Sequence, residues 1–191
     1  MTACSTDLDQ SPPNLASADS LTDFSGVLNA AYYYQLGGVT PLAVMAEFRA
    51  DNALMDEAPY TEFDLFTNNL TTMEDQFFGP LYTAMYKSIL SANNVIENST
   101  DATQVAEAKF LRALSYFKLV RSFGAVTINT SAAPSLTDTS ILVRNPATEV
   151  YNTVIIPDLN DAISGLGTSI VDGRASKYAA QGLLGKVYAA M

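Results

Sequence analysis

The stretch that decides the fold is residues 106–126, Ala106-Glu-Ala-Lys-Phe-Leu-Arg-Ala-Leu-Ser-Tyr-Phe-Lys-Leu-Val-Arg-Ser-Phe-Gly-Ala-Val126. Phe110, Leu111, Leu114, Phe117 and Val120 keep i, i+3, i+4 spacing, which makes a helix with a wide apolar face. Ala106, Ala113, Tyr116 and Leu119 carry that face around the other side. A helix of this kind needs cover from at least two directions, so it is read as the central element. Ser99, Thr100 or Asp101 can supply its N-cap, and Gly124 stands where a C-cap favours a residue without Cβ.

Working outward, residues 80–97 read as a helix with Pro80 in its first turn, where the missing N–H costs nothing. A three-residue turn joins it to the central helix, giving an antiparallel pair. Ahead of it, residues 21–34 read as a first helix capped by Ser20, with Leu21, Phe24, Val27, Leu28 and Ala31 on one face and Gly37-Gly38 breaking it. Tyr32, Tyr33 and Tyr34 end this helix and are read as packing residues whose hydroxyls reach the rim. Residues 41–48 are apolar and short, and their pattern leaves helix and strand open. After the central helix comes a Thr/Ser-rich connection with Val126 and Ile128 extended. Residues 145–166 form another helix, with Asn145 as cap, Pro146 in the first position and a kink expected at Pro157. The last helix is capped by Ser176, and its Ala179, Ala180 and Gly182 permit close contact.

Composition bounds what the chain can do. Its 191 residues, 48% hydrophobic and 16% charged, can bury a core as one domain or two small ones. A net charge of −10 with only ten Lys plus Arg disfavours nucleic acid, because phosphate neutralisation needs clustered cations. The absence of histidine removes Ser-His-Asp and Cys-His pairs, imidazole bases and the usual zinc sites. Paired carboxylates such as Asp51/Asp56 or Glu62/Asp64 read as solvated surface and not as a hydrolase pair. No EF-hand spacing is present, so neither metal nor cofactor is expected. No run of 18 apolar residues marks a membrane-spanning helix.

Residues 52–80 interleave aromatics with amides and carboxylates. Ring faces can take the C–H face of a sugar while Asn and Asp take its hydroxyls. Tyr60, Phe63, Phe66, Asn68, Phe77 and Phe78 are the candidate ligand-binding residues, most of the Phe being weighed as packing anchors and a minority as facing ligand. Met1-Thr2-Ala3 before the lone Cys4 has the pattern of a bacterial lipobox, and the polar run that follows, with Pro12 and Pro13, suits a tether. Cys4 is accordingly the expected lipidation site, and acyl chains on it would anchor the chain without a spanning helix.

Several of these segments carry a family resemblance. Glu107-Ala-Lys-Phe-Leu-Arg-Ala113 followed by Tyr116-Phe117-x-Leu119-Val120-Arg121-x-Phe123-Gly124 resembles the most recognisable segment of the SusD/RagB family. Tyr82-x3-Tyr86-x2-Ile89-x2-Ala92-Asn93 is similar to that family's hairpin helix, with tyrosine where tryptophan is usual. Glu149-Val-Tyr151-x3-Ile155-x2-Asp158-Leu159-x2-Ala162 and Gly173-Arg-Ala-Ser-Lys177-x-Ala179-Ala180-x2-Leu183-Leu184-x-Lys186-Val187-Tyr188 follow in the family's order. Ala113-x3-Phe117 also resembles the small-x3-Phe step of tetratricopeptide helices. At the crossover the pattern departs, with Ala125 and Asn129 replacing the common aspartate and proline.

The resemblance implies an all-α fold of irregular tetratricopeptide-like helix pairs with long connecting loops. It implies a tether over residues 1–20 and an N-terminal helical domain over 21–191, the family's loop-rich C-terminal half lying outside this sequence. The function implied is a cell-surface, lipid-anchored outer-membrane lipoprotein, not an enzyme. It would capture an oligosaccharide or peptide nutrient and pass it to a SusC-like TonB-dependent transporter. The competing reading is a tetratricopeptide-type interaction scaffold that binds a peptide in its helical groove.

Overall fold

The computed structural model describes residues 23–50, 52–54, 56–58, 60–66, 73–135, 137–171 and 173–191. The central helix, α5, spans Ala102–Phe123. Of the three candidate caps it is Asp101 that serves, one carboxylate oxygen accepting from the N–H groups of Thr103 and Gln104 at 2.8 and 3.3 Å. The helix ends on Gly124 at φ +70°, a conformation glycine adopts without a Cβ penalty. Ala106, Ala108, Leu111, Ala113, Tyr116 and Leu119 are all buried, so the helix is covered on more than one side as its sequence requires.

The cover comes from two neighbours. On one side lies α4, Gly79–Asn98, the antiparallel partner across a three-residue turn. On the other lies α7, Ile156–Gly165, with α8, Lys177–Ala190, packed behind it. Leu81, Met85 and Ile89 of α4 meet Tyr116, Leu119 and Val120 of α5 and Ile155 and Leu159 from the α7 side in one apolar core. A smaller cluster joins Phe24, just ahead of α1, and Leu28 and Ala31 of α1, Ser25–Gln35, to Ala92, Val95, Ala108 and Leu111. Ser176 caps α8 as expected, accepting from Ala179 N at 3.2 Å.

Ser20 and the first residues of the expected first helix lie outside the described residues. Just ahead of α1, Asp23 accepts from one free donor of the first turn, Ser25 N at 2.8 Å, and from Ser25 Oγ at 2.9 Å. The Gly37-Gly38 pair breaks the first helix as expected, α1 ending at Gln35. It forms a tight 3₁₀ joint, Leu36–Gly38, that leads straight into α2, Val39–Arg49, which settles the open reading of residues 41–48 as helix. The joint needs glycine for a packing reason: a Cβ on Gly37 would lie 2.6 Å from Ala84 Cβ on α4.

The expected kink at Pro157 takes another form. Residues 145–166 are built as α6, Ala147–Val150, a wide π turn, Tyr151–Ile155, and then α7, with Pro157 in the first turn of α7. The wide turn shifts the hydrogen-bond register just before proline, where no N–H is available to continue it. Pro80 repeats the device, following the π turn Glu74–Phe78 at the start of α4. Pro146, not Asn145, occupies the N-cap position of α6. Asn145 instead belongs to a small antiparallel ribbon of β1, Val126–Thr127, and β2, Arg144–Asn145, and its Oδ1 accepts from Ile128 N at 3.3 Å. The structure is otherwise all-α, as expected.

A buried polar network fixes the crossover after α5. Arg112 donates through Nε and Nη2 to the two oxygens of Asp158 on α7, at 2.7 and 2.8 Å, and through Nη1 to Asn93 Oδ1 on α4 at 2.9 Å. Asn93 Nδ2 then donates to the carbonyls of Asn129 and Ser131. Tyr116 accepts from Asn129 N at 2.7 Å and donates to Asn129 O at 2.9 Å. Every polar atom on this path has a partner, which is the condition for burying charge at tolerable cost.

Candidate functional site

The described residues of the segment 52–80 are less loop-like than their composition implies. They contain the short helix α3, Thr61–Asp64, and the first π turn. Phe63 on α3 is buried, with the rings of Phe78, Phe77 and Phe48 around it at centroid distances of 5.6, 6.1 and 6.5 Å. Phe77 and Phe78 are half-buried in this cluster, and Tyr60, also half-buried, begins the α3 turn. Phe66 differs: it is 61% exposed and stands at φ +52°, a strained conformation for a residue carrying a Cβ. The Arg49 guanidinium lies 4.3 Å from its ring centroid and 5.5 Å from that of Phe63. Asn68 and Cys4 lie outside the described residues.

This cluster borders a groove of about 610 Å³ framed by α2, α5 and α8. Phe63, Phe78 and Phe117, with Leu42, Met45, Leu114 and Leu183, make its apolar surface. Arg49 from α2, Lys118 and Arg121 from α5 and Lys186 from α8 add a cation from every wall. Among the described residues no carboxylate lines it. Lys118 reaches across to α1, where its Nζ donates to Gln35 Oε1 at 2.8 Å. Gln35 Nε2 donates in turn to Ser88 Oγ and Ser115 Oγ, so the amide is held in one orientation. Burial lowers the Lys118 pKa from its ordinary value. Arg121 stacks on Phe117, 5.6 Å from the ring centroid.

The cations are what the sequence did not reveal. Lys118 and Arg121 look like ordinary polar positions on an amphipathic helix, and Lys186 lies more than sixty residues further on. Only packing brings them together with Arg49.

A second concavity, of about 490 Å³, lies toward the other end of α5. Arg174 there joins three segments: Nη2 donates to Asn29 Oδ1 at 2.6 Å, Nη1 lies 3.5 Å from Glu107 Oε2, and the guanidinium covers the Tyr32 ring. Tyr32 donates to Glu107 Oε2 at 2.6 Å and accepts from Ala175 N at 2.8 Å. Burial, and then the Glu107 carboxylate, push the Tyr32 hydroxyl well above the ordinary range. This group staples α1, α5 and the entry to α8 together. Tyr33, next in sequence, is exposed instead. Among the described residues no cluster of three His, Cys, Asp or Glu could hold a metal ion, and no helix is long and apolar enough to cross a membrane.

Comparison with known proteins agrees with the geometry. Residues 7–189 match a family model, SusD-like, whose description is starch-binding, associating with outer membrane. A SusD-like protein of Bacteroides ovatus is 30% identical over 144 residues, covering 70% of this chain and 26% of that protein. A SusD-like protein of Formosa agariphila is 32% identical over 136 residues, covering 69% of this chain and 27% of the other. Among solved structures, a SusD superfamily protein from Parabacteroides distasonis superposes with a TM-score of 0.73 at 28% identity, covering 91% of this chain and 40% of that one. A laminarin-binding SusD-like protein gives a TM-score of 0.69 at 30% identity, covering 88% and 40%. The chain thus spans 26–27% of the length of these curated relatives. The match over residues 7–189 shows that the chain belongs to the SusD-like family.

Proposed function

We propose that this chain is the N-terminal helical part of a surface lipoprotein, anchored through Cys4, that binds an oligosaccharide and hands it to a SusC-like TonB-dependent transporter. The part described here binds and does not catalyse. The observation that carries the reading is Phe66, a 61% exposed ring in a strained backbone, held by Arg49 at the edge of a groove walled by Phe63, Phe78 and Phe117. Strain at an exposed aromatic has no benefit for stability, and such sites are where ligand-facing residues are kept. Family membership and the laminarin-binding relative support a saccharide as the nutrient.

The scaffold alternative has less room, because α1 packs along both α4 and α5 and occupies helix surface that a docked peptide would use.

Affinity electrophoresis in gels cast with laminarin, starch or pectin tests the reading. Retardation of the wild-type chain by at least one polysaccharide is expected, and its loss in Phe66→Ala. A chain that no polysaccharide retards, or a Phe66→Ala variant retarded like wild type, would overturn the proposed surface.

A further inference from the structure

The groove has a charge character that runs against the rest of the molecule. The protein carries twenty Asp plus Glu against ten Lys plus Arg, yet four of those ten cations line this one groove and no described carboxylate does. They come from three separate helices, so the charge is not a by-product of one amphipathic face. Elsewhere the cations are mostly committed: Arg112 to Asp158, Lys109 to Asp161, Arg174 to Glu107 and Arg144 to the carbonyls of Phe123 and Ala125. Lys118 is held by the neutral Gln35 amide, and none of the ion pairs Lys109–Asp161, Arg112–Asp158 and Arg174–Glu107 involves a groove cation.

Resting on the oligosaccharide reading above, we infer that the groove framed by Arg49, Lys118, Arg121 and Lys186 selects an anionic saccharide, an oligosaccharide built of uronic acid units. Three features fit that chemistry together. Cations on three walls match a ligand that carries charge on successive units, whereas a ligand with a single carboxylate would engage one or two of them. The Phe78 ring and the side chains of Leu42, Met45 and Leu114, all half-buried, offer apolar surface for the C–H faces of the sugar rings. The planar guanidiniums of Arg49 and Arg121, each lying over a phenyl ring, present paired donors that suit the two oxygens of a carboxylate. The net charge of −10 sharpens the selection, because the wider surface repels a polyanion and the groove is where it is drawn in.

The test uses isothermal titration of the 191-residue chain with three hexasaccharides: hexagalacturonate, its fully methyl-esterified form and a neutral laminarihexaose. Esterification keeps the sugar backbone and removes the charge. The inference expects the free acid to bind about tenfold tighter than the ester at low salt, with the advantage shrinking as sodium chloride is raised, as for several partly screened ion pairs. In the double variant Arg121→Gln/Lys186→Gln the acid-to-ester ratio should fall to about threefold or less, since two of the four pairs are gone. Both side chains are exposed, and a melting curve superposing on that of the wild type checks that the fold is kept.

The inference is overturned if acid and ester bind equally, if the ratio survives the double substitution, or if a sulfated hexasaccharide of the same charge binds tighter than the uronate. Binding of laminarihexaose or the ester without any preference for the acid would sink the uronate assignment and leave the oligosaccharide reading standing. If none of the saccharides binds and an acidic peptide does, both readings fall.

Discussion

Arg112 on α5 and Asp158 on α7, 46 residues apart, face each other through two parallel hydrogen bonds of 2.7 and 2.8 Å, both side chains nearly closed off from solvent. The pair is the pin through the middle of the molecule. Its third donor fixes Asn93, and Asn93 fixes the backbone at Asn129 and Ser131. Asp158→Ala leaves a buried guanidinium without its counter-charge and is expected to cost about 3–5 kcal/mol. The double change Arg112→Met/Asp158→Leu should be markedly milder, because no charge is left stranded. Urea unfolding of both variants reads the difference. Equal losses would show that the pair matters only through its volume.

Tyr116 gives a pH signature. Burial holds its hydroxyl up to about 12, against an ordinary value of 10.0. The folded form therefore keeps a proton that the unfolded chain releases, and stability present below pH 10 is lost as pH rises toward 12. The loss amounts to about 1.4 kcal/mol per pH unit from this one group. Tyr86 is raised by burial as well and adds to the slope. Tyr116→Phe is expected to be less stable at neutral pH but to show a shallower alkaline decline, read from urea midpoints between pH 9 and 11.5.

Close helix contact makes a third test. A Cβ on Gly165, at the end of α7, would stand 2.7 Å from Ala106 Cβ on α5. Gly165→Ala is expected to cost about 1–3 kcal/mol through overpacking, against the usual gain from replacing glycine in a helix. Adding Ala106→Gly should recover part of the loss, so the double variant is more stable than the two single losses summed. Additive losses in thermal unfolding would mean that the two helices simply move apart.

Phe63 and Phe66, three residues apart, should separate packing from recognition. Phe63→Ala empties the middle of an aromatic cluster and is expected to lower stability by about 3–5 kcal/mol. Phe66→Ala removes an exposed ring and should change stability by about 1 kcal/mol or less, while abolishing polysaccharide retardation. Calorimetry and affinity gels on the two variants check both halves.

What the sequence by itself determined was the helical frame. The 3.6-residue periodicity of residues 106–126, burial demanded on opposite faces, the cap at the 99–101 turn, Gly124, Pro80 and Ser176 are local signals, and a helix obeys local signals because its hydrogen bonds close within four residues. At Pro157 and Asn145, where the outcome differed from the expectation, and at Gly37-Gly38, where the expected break became a joint, the result turned on what lay alongside. A π turn could absorb the proline, pairing with Val126 and the Ile128 N–H could claim the asparagine, and Ala84 came close enough to require glycine. The groove was decided by tertiary structure alone. Phe63 and Phe78 were visible as candidates, but whether a ring packs or faces ligand depends on neighbours distant in sequence. Arg49, Lys118, Arg121 and Lys186 share no spacing that could announce them. They become one feature because α2 and α8 stand on either side of α5 with a gap between, and the width of such a gap is set by side-chain packing among helices.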